Sequence, residues 1–253
     1  MLVAKVRRDM IQVLVTGASG GIGRAIAMSL AERGARIAVH YNSDRAAAEE
    51  TRSVLPGAGH AVIGANLADP ASIAPFWDRT LSEFGRLDAL VNNAGIYDEH
   101  SPLTASFEEW SKAVERIMSV NFFGPAQLSF LAARAMSTQG GGRIVNISSR
   151  GAFRGEPTAP AYAASKAAVN ALGQSFAKAY APRGVYVFSV APGWVDTERV
   201  AAHVHNPTVL ADQPLGRVAM AEEVARVVAF CVLEAPESLT GAVLDVNGAS
   251  YLR

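Results

Sequence analysis

Short runs of β-branched and aliphatic residues alternate with longer alanine-rich stretches along the whole chain. No other feature limits the fold as strongly. The runs at 11–16, 36–41, 61–65, 87–92, 143–148, 185–190 and 243–246 are nearly continuously apolar, as strands are when a sheet is covered on both faces. Between them, 22–33, 44–55, 72–84, 107–137, 161–181 and 221–233 carry helical spacing. The stretch 107–137 is expected as two helices or one bent at Gly124-Pro125, because proline removes a helical donor. Strand, helix, strand in repetition implies right-handed parallel crossovers and hence a doubly wound α/β sheet with helices on both faces. Without a Pro/Ser-rich linker or a charge block, residues 1–253 read as a single domain. Two segments break the rhythm, 151–160 and 194–214, and the second is expected to be a substrate lid.

Composition removes several classes of function. Lys and Arg number 23 against 23 Asp and Glu, so no overall field would hold the protein on nucleic acid or an acidic membrane. A chain of this length buries about 70–75% of its unfolded surface, enough for a core without disulfides or structural metal. Cys231 is the single cysteine, in an apolar helix, and reads as a small buried hydrophobe. Four charged side chains within the first ten residues predict no secretory signal, and 117–133 contains Asn121, Gly124, Pro125 and Gln127, which argues against a bilayer span. A cytoplasmic location is the expectation. His203 and His205 lie in the anticipated lid without a carboxylate or thiol at ligand spacing, so no metal is expected.

The first strand runs into Thr16-Gly17-Ala18-Ser19-Gly20-Gly21-Ile22-Gly23-Arg24, and a helical pattern follows. Glycine permits close backbone approach, and a helix N-terminus presents unpaired N–H groups to a pyrophosphate. Strand, glycine turn and helix in this order are the context of a Rossmann-type dinucleotide fingerprint, although Gly-x-x-x-Gly-x-Gly is one residue longer than the usual spacing. Gly17, Ser19, Gly20, Gly21, Ile22 and Gly23 are therefore candidate cofactor residues. At the end of the second strand, where a ribose-reading carboxylate is expected, stand Tyr41, Asn42 and Ser43, with no acid before Asp44. That favours NADP(H) over NAD(H): nothing there repels a 2′-phosphate, and Arg24 or Arg45 could add charge. Alternatively, Asn42 and Ser43 end the strand and cap the next helix.

Tyr162-Ala163-Ala164-Ser165-Lys166 places a phenol and an ammonium one helical turn apart on the same face. A phenol with its ordinary pKa near 10 is a poor acid–base group at neutral pH. A cation at about 4 Å contributes roughly 4 kcal/mol at an effective dielectric of 20, opposed by desolvation of the phenolate. Taken alone, such a pair is more often an ordinary surface pair.

Six ordered motifs give it company: Thr16-Gly17-x-x-x-Gly21-x-Gly23, Asn92-Asn93-Ala94-Gly95, Asn121, Ser149, Tyr162-x-x-x-Lys166 and Pro192-Gly193-x-x-x-Thr197. Together they resemble the short-chain dehydrogenase/reductase family, in its ketoacyl-reductase and glucose-dehydrogenase variety, over essentially the whole chain. The resemblance implies that Tyr162 exchanges a proton with a carbonyl or alcohol oxygen and that Ser149 polarises it. It implies that Lys166 lowers the tyrosine pKa and binds the nicotinamide ribose, and that Asn121 holds a water linking Lys166 to solvent. Spacing from Tyr162 selects Ser149 over Ser148. Asn93, Ala94 and Gly95 would pack against the adenine ribose. Asn66 and Leu67 would meet the adenine, Asn66 standing where an Asp is usual. Pro192, Gly193, Val195 and Thr197 would close over the nicotinamide. Gly20 stands where many NADP-preferring members carry Arg or Lys.

Tyr97, Gly151, Phe153 and Trp194 are expected to line the substrate pocket and suit an apolar ketone, aldehyde or secondary alcohol, with Arg154 and Glu156 as a polar rim. The segment Ser137-Thr138-Gln139-Gly140 lacks the basic cluster of carrier-protein reductases. The apolar faces of 107–137 and 161–181 resemble those that family members use to form homodimers and homotetramers. The leading expectation is NADPH-dependent carbonyl reduction. An NAD-dependent alcohol or sugar dehydrogenase and a cofactor-binding sensor without turnover are the alternatives.

Overall fold

The structure, a computed structural model, describes residues 10–200 and 206–253. In chain order its first half comprises β1 (Gln12–Val15), α1 (Gly21–Ala31), β2 (Arg36–Tyr41), α2 (Arg45–Val54), β3 (Ala61–Gly64), α3 (Pro70–Phe84) and β4 (Ala89–Asn92). There follow α4 (Phe107–Met118), a π-helical turn (Ser119–Phe123), α5 (Gly124–Thr138), β5 (Gly142–Ile147), α6 (Gly151–Arg154), α7 (Pro160–Tyr180) and β6 (Val185–Pro192). The remainder is β7 (Val195–Asp196), α8 (Pro207–Ala211), β8 (Ala219–Met220), α9 (Ala221–Leu233) and β9 (Val243–Val246).

Seven strands form one sheet in the order β3-β2-β1-β4-β5-β6-β9, and every pairing is parallel. Strand order reverses direction between β1 and β4, the switch point at which ligands bind in such sheets. Successive residues feed opposite layers: Val13 and Val15 join Ile26, Leu30, Ile37, Val224 and Val228 on one side. Leu14 and Leu90 join Phe76, Trp77, Leu128 and Ile144 on the other. Cys231 is fully buried in the first layer, where burial pushes its thiol up to about 12.

Helix starts follow local capping chemistry. The Asp44 carboxylate accepts from Ala47 N–H at 2.9 Å and opens α2. Asp44, not Asn42 or Ser43, is thus the cap. Asp69 accepts from Ala71 N–H, with Pro70 in the first helical position, so α3 begins two residues before the expected 72. Ser106 and Glu109 form a reciprocal capping box at α4.

The expected interruption near Gly124-Pro125 is a widened turn instead of a break. Pro125 has no N–H for the Asn121 carbonyl and its ring crowds that carbonyl, and residues 119–123 adopt π geometry immediately before it. The segment 151–160 contains α6, and the anticipated lid contains β7 and α8. Its middle, 201–205 with His203 and His205, lies outside the described residues. Among the described residues, no helix is long and apolar enough to cross a membrane.

Candidate active site

Thr16 to Gly23 leaves the C-terminal end of β1 and lies against the end of β4. Thr16 Oγ1 accepts from the N–H groups of Asn93 and Ala94 at 2.9 and 3.0 Å, and Asn93 Nδ2 donates to the carbonyls of Thr16 and Gly17 at 2.9 and 3.0 Å. The loop cannot carry side chains at its contacts. A Cβ on Gly23 would stand 2.1 Å from the Gly17 carbonyl and 2.5 Å from Asn93 Nδ2. Gly17, at φ +62°, would meet the Ala94 backbone at 2.9 Å. Gly23→Ala is therefore expected to weaken dinucleotide binding and to cost about 1–3 kcal/mol of stability, lowering the melting temperature by roughly 2–12 °C. Thermal denaturation with and without cofactor checks both.

This loop fits a dinucleotide. Gly20 precedes α1 with no side-chain cap, and no acidic residue lies in the first turn, so no local side chain takes up the N–H groups at the start of the helix. Thr197 stands over Gly21, with its Cγ2 3.4 Å from where a Cβ would be. Arg24 is anchored beside the loop by bonds to Ser19 O, Thr51 Oγ1 and Glu50. Arg45 pairs with Glu49 on α2. Asn42 and Ser43 are exposed at the end of β2, whereas Tyr41 lies across β3: a Cβ on Gly64 would meet its ring at 2.6 Å. Asn66 is exposed and closes a local turn onto Ala68 N–H, while Leu67 packs over Gly124.

The candidate catalytic group is assembled from three elements. Ser149 follows β5, and its Oγ accepts from Gly151 N–H at 3.0 Å, which leaves the hydroxyl hydrogen to donate elsewhere. Ser148 is turned inward, with its Oγ 3.4 Å from the Lys166 carbonyl, as alternation along a strand requires. Tyr162 and Lys166 share one face of α7. The buried Lys166 Nζ lies 5.7 Å from the Tyr162 ring centroid and donates to the Ile147 carbonyl at 2.8 Å. Asn121, in the widened turn, accepts from Ile96 N–H at 2.8 Å, and its amide donates to Ile96 O and Ser165 Oγ at 2.9 and 3.2 Å. Ser165 in turn donates to the Tyr162 carbonyl at 2.7 Å. A Cβ on Gly95 would stand 3.3 Å from both Asn121 Oδ1 and Lys166 Nζ, so Gly95 keeps the space between them open.

Histidine 100 was silent in the sequence and is structural to this group. Its Nε2 accepts from Ala161 N–H at 3.1 Å and its Nδ1 bonds the Asp98 carbonyl at 2.8 Å. It thereby caps α7, which lacks a local side-chain cap, one residue before Tyr162. Only the fold brings residue 100 there, so no local sequence signal marks it.

On the substrate side, Tyr97 stands edge-to-face with Tyr162 at 5.0 Å between centroids. Desolvation raises the Tyr97 pKa, the carboxylates of Glu156 and Glu99 add to it, and Thr158 and Arg154 oppose it. Gly151 lies beneath Glu156, whose Oε1 would be 2.7 Å from a Cβ there. Burial raises the Glu156 pKa against the pull of Arg154 and Arg150. Arg150 and Arg154 both donate to Asp212 Oδ2, at 3.2 and 2.9 Å, tying α6 to the end of α8. Phe153 does not join Tyr97: its ring stacks on Tyr251 at 6.5 Å, with the Arg253 guanidinium at 4.2 Å. The expectation of a largely apolar pocket thus meets the charge of Glu156 beside Gly151 and those of Glu156, Glu99 and Arg154 acting on Tyr97. Pro192 accepts from Arg150 N–H, and Gly193 N–H bonds Val246 O. Val195 pairs with Ala219, and the Trp194 carbonyl accepts from Ala219 N–H. A separate cavity of about 500 Å³ lies under the C-terminal segment, lined by Leu215, Arg217, Asn247 and Tyr251 among others.

A glycine cradle at the switch point of a parallel sheet, beside side chains suited to moving a proton on and off an oxygen, places this protein among the dinucleotide-dependent oxidoreductases. Comparison with known proteins narrows the class. Residues 17–249 match the family model described as enoyl-(acyl carrier protein) reductase. The chain is 40% identical over 240 residues to cis-4-hydroxycyclohexanecarboxylate dehydrogenase of Sinomonas cyclohexanicum, covering 93% of this chain and 94% of that one. It is 38% identical over 241 residues to 3-oxoacyl-(acyl-carrier-protein) reductase of Escherichia coli, covering 94% and 96%. It is also 38% identical over 248 residues to a short-chain type dehydrogenase/reductase of Picea abies, covering 93% and 90%. The chain belongs to the short-chain dehydrogenase/reductase family.

Proposed function

We propose that this protein reduces a ketone or aldehyde to an alcohol with NADPH, using Tyr162 as the general acid. The single observation that carries this reading is the convergence of Asn121, Ser149, Tyr162 and Lys166 at the ends of β4 and β5, beside the glycine cradle. The nicotinamide, when bound, supplies the hydride. Gly17, Ser19, Gly20, Gly21, Ile22 and Gly23 would hold the pyrophosphate, Asn93, Ala94 and Gly95 the adenine ribose, and Asn66 and Leu67 the adenine. Pro192, Gly193, Val195 and Thr197 would hold the nicotinamide, and residues 194–214 would form the substrate lid. Arg24, beside Ser19, together with Asn42 and Ser43, supports the preference for NADP(H).

The chain's own groups divide the proton work. Ser149, with its lone pair engaged by Gly151 N–H, donates its hydroxyl hydrogen to the substrate oxygen and polarises it. Tyr162 delivers a proton to that oxygen. Lys166, held by Ile147 O, stabilises the phenolate left behind and passes it a proton. Asn121, whose carbonyl receives no N–H from Pro125, is the residue we assign to a water that reprotonates Lys166. Tyr97, Gly151 and Trp194 are the pocket walls, with Arg154 and Glu156 at the rim. Exposed Phe123 and Phe130 on the π turn and α5 suit self-association as a homodimer or homotetramer.

The 40% identical relative acts, by its name, on a hydroxylated ring carboxylate. Arg154 at the rim makes a second reading specific: NAD-dependent oxidation of a small hydroxy acid. A panel of oxo compounds and their alcohols, assayed by the change in reduced-cofactor absorbance with both dinucleotides, decides. Consumption of NADPH by a carbonyl substrate is expected. Turnover only with NAD and an alcohol would replace the first reading by the second.

A further inference from the structure

Histidine 40 is buried at the end of β2, with relative exposure of 1%, and the proton work does not involve it. Both of its ring nitrogens are engaged. Nδ1 accepts from the N–H of Gly17 at 2.9 Å, and Nε2 lies 3.1 Å from the carbonyl of Ala65. A backbone N–H facing Nδ1 leaves the ring proton on Nε2, so the imidazole is neutral. Burial accords with this by lowering its pKa to about 4, against the smaller pull of the Ala65 bond. The ring stands 5.0 Å from that of Phe76 on α3, and the His40 carbonyl accepts from Ala18 N–H at 2.9 Å.

One residue therefore clasps two successive N–H groups of the glycine loop and also the chain at Ala65, next to Asn66. A sheltered N–H that loses its acceptor is costly, and the part-buried N–H of Gly17, at φ +62°, is held in its turn by Nδ1. We propose that His40 is a positioning residue for the dinucleotide cradle, its imidazole Nδ1 holding the first turn of the glycine loop in place before cofactor arrives. This inference rests on dinucleotide binding at the loop, whichever dinucleotide or substrate is used.

Asparagine keeps an acceptor near the place of Nδ1 but cannot reach Ala65. Glutamine reaches towards Ala65 and offers nothing where Nδ1 stands, and leucine keeps neither bond. Calorimetry gives dissociation constants for NADPH and NADH with the wild type, His40→Asn, His40→Gln and His40→Leu. Amide hydrogen exchange at Gly17 is read in the cofactor-free proteins. His40→Leu and His40→Gln are expected to weaken both dinucleotides about tenfold and to speed Gly17 exchange, while His40→Asn stays within about threefold of wild type. Turnover at saturating cofactor should be nearly unchanged in all three. Equal affinities and equal Gly17 exchange for the Asn and Gln variants overturn the proposal, even if the Leu variant does not fold. A wild type that binds neither dinucleotide overturns the reading of the loop itself, and the proposal with it.

Discussion

Tyr162→Phe should lower turnover by about 10²–10⁴-fold while leaving the dissociation constant of the dinucleotide nearly unchanged. The substitution removes one oxygen from a half-buried ring. The packing of that ring against Tyr97 and the position of Lys166 Nζ beneath Ile147 do not depend on the hydroxyl. Binding, folding and the polarising hydroxyl of Ser149 are retained, and the proton donor is lost. Steady-state rates with a substrate from the carbonyl panel, together with a cofactor titration, check this. Retention of more than a few per cent of turnover would mean that another group protonates the oxygen, with Ser149 and water as the candidates to examine.

Asn42→Asp should reverse or sharply reduce the preference for NADP(H). Asn42 is exposed at the C-terminal end of β2, and the change is nearly isosteric. A carboxylate within about 4 Å of a phosphate charge costs about 1–4 kcal/mol between aqueous and surface dielectric values, between about fivefold and several hundred-fold in relative affinity. Tyr41 is a poorer place for the same test, because its ring packs over Gly64 and its loss would disturb the sheet edge. The ratio of dissociation constants for NADPH and NADH in the two proteins is the measurement. An unchanged ratio would move recognition of the 2′-phosphate away from the end of β2 and towards Arg24.

Much of this site was legible in the sequence because its parts are local. The glycine loop needs small residues at set positions. Tyr162 and Lys166 share a helix face by their spacing of four. Alternation along a strand requires Ser148 and Ser149 to face opposite ways, and the structure turns Ser148 inward. Other parts were not legible, since they depend on which segments meet. Phe153 reads as a pocket residue from its place after Ser149, yet its ring is taken by Tyr251 and Arg253 from the far end of the chain. His40 and His100 show no local pattern, because each bonds backbone that is distant in sequence.

The alternation of strands and helices, the doubly wound parallel sheet and the glycine turn after the first strand follow from periodicity and glycine placement alone, since these express short-range sterics and the need to bury apolar faces. Tertiary structure alone decided how the pieces lock. It set the widened turn that carries Asn121 to Ile96, the space that Gly95 keeps beside Lys166, and the two histidines that hold loop and helix. Each of these is a hydrogen bond or a close approach between residues far apart in the chain, and such pairings exist only once the sheet has brought the strand ends together.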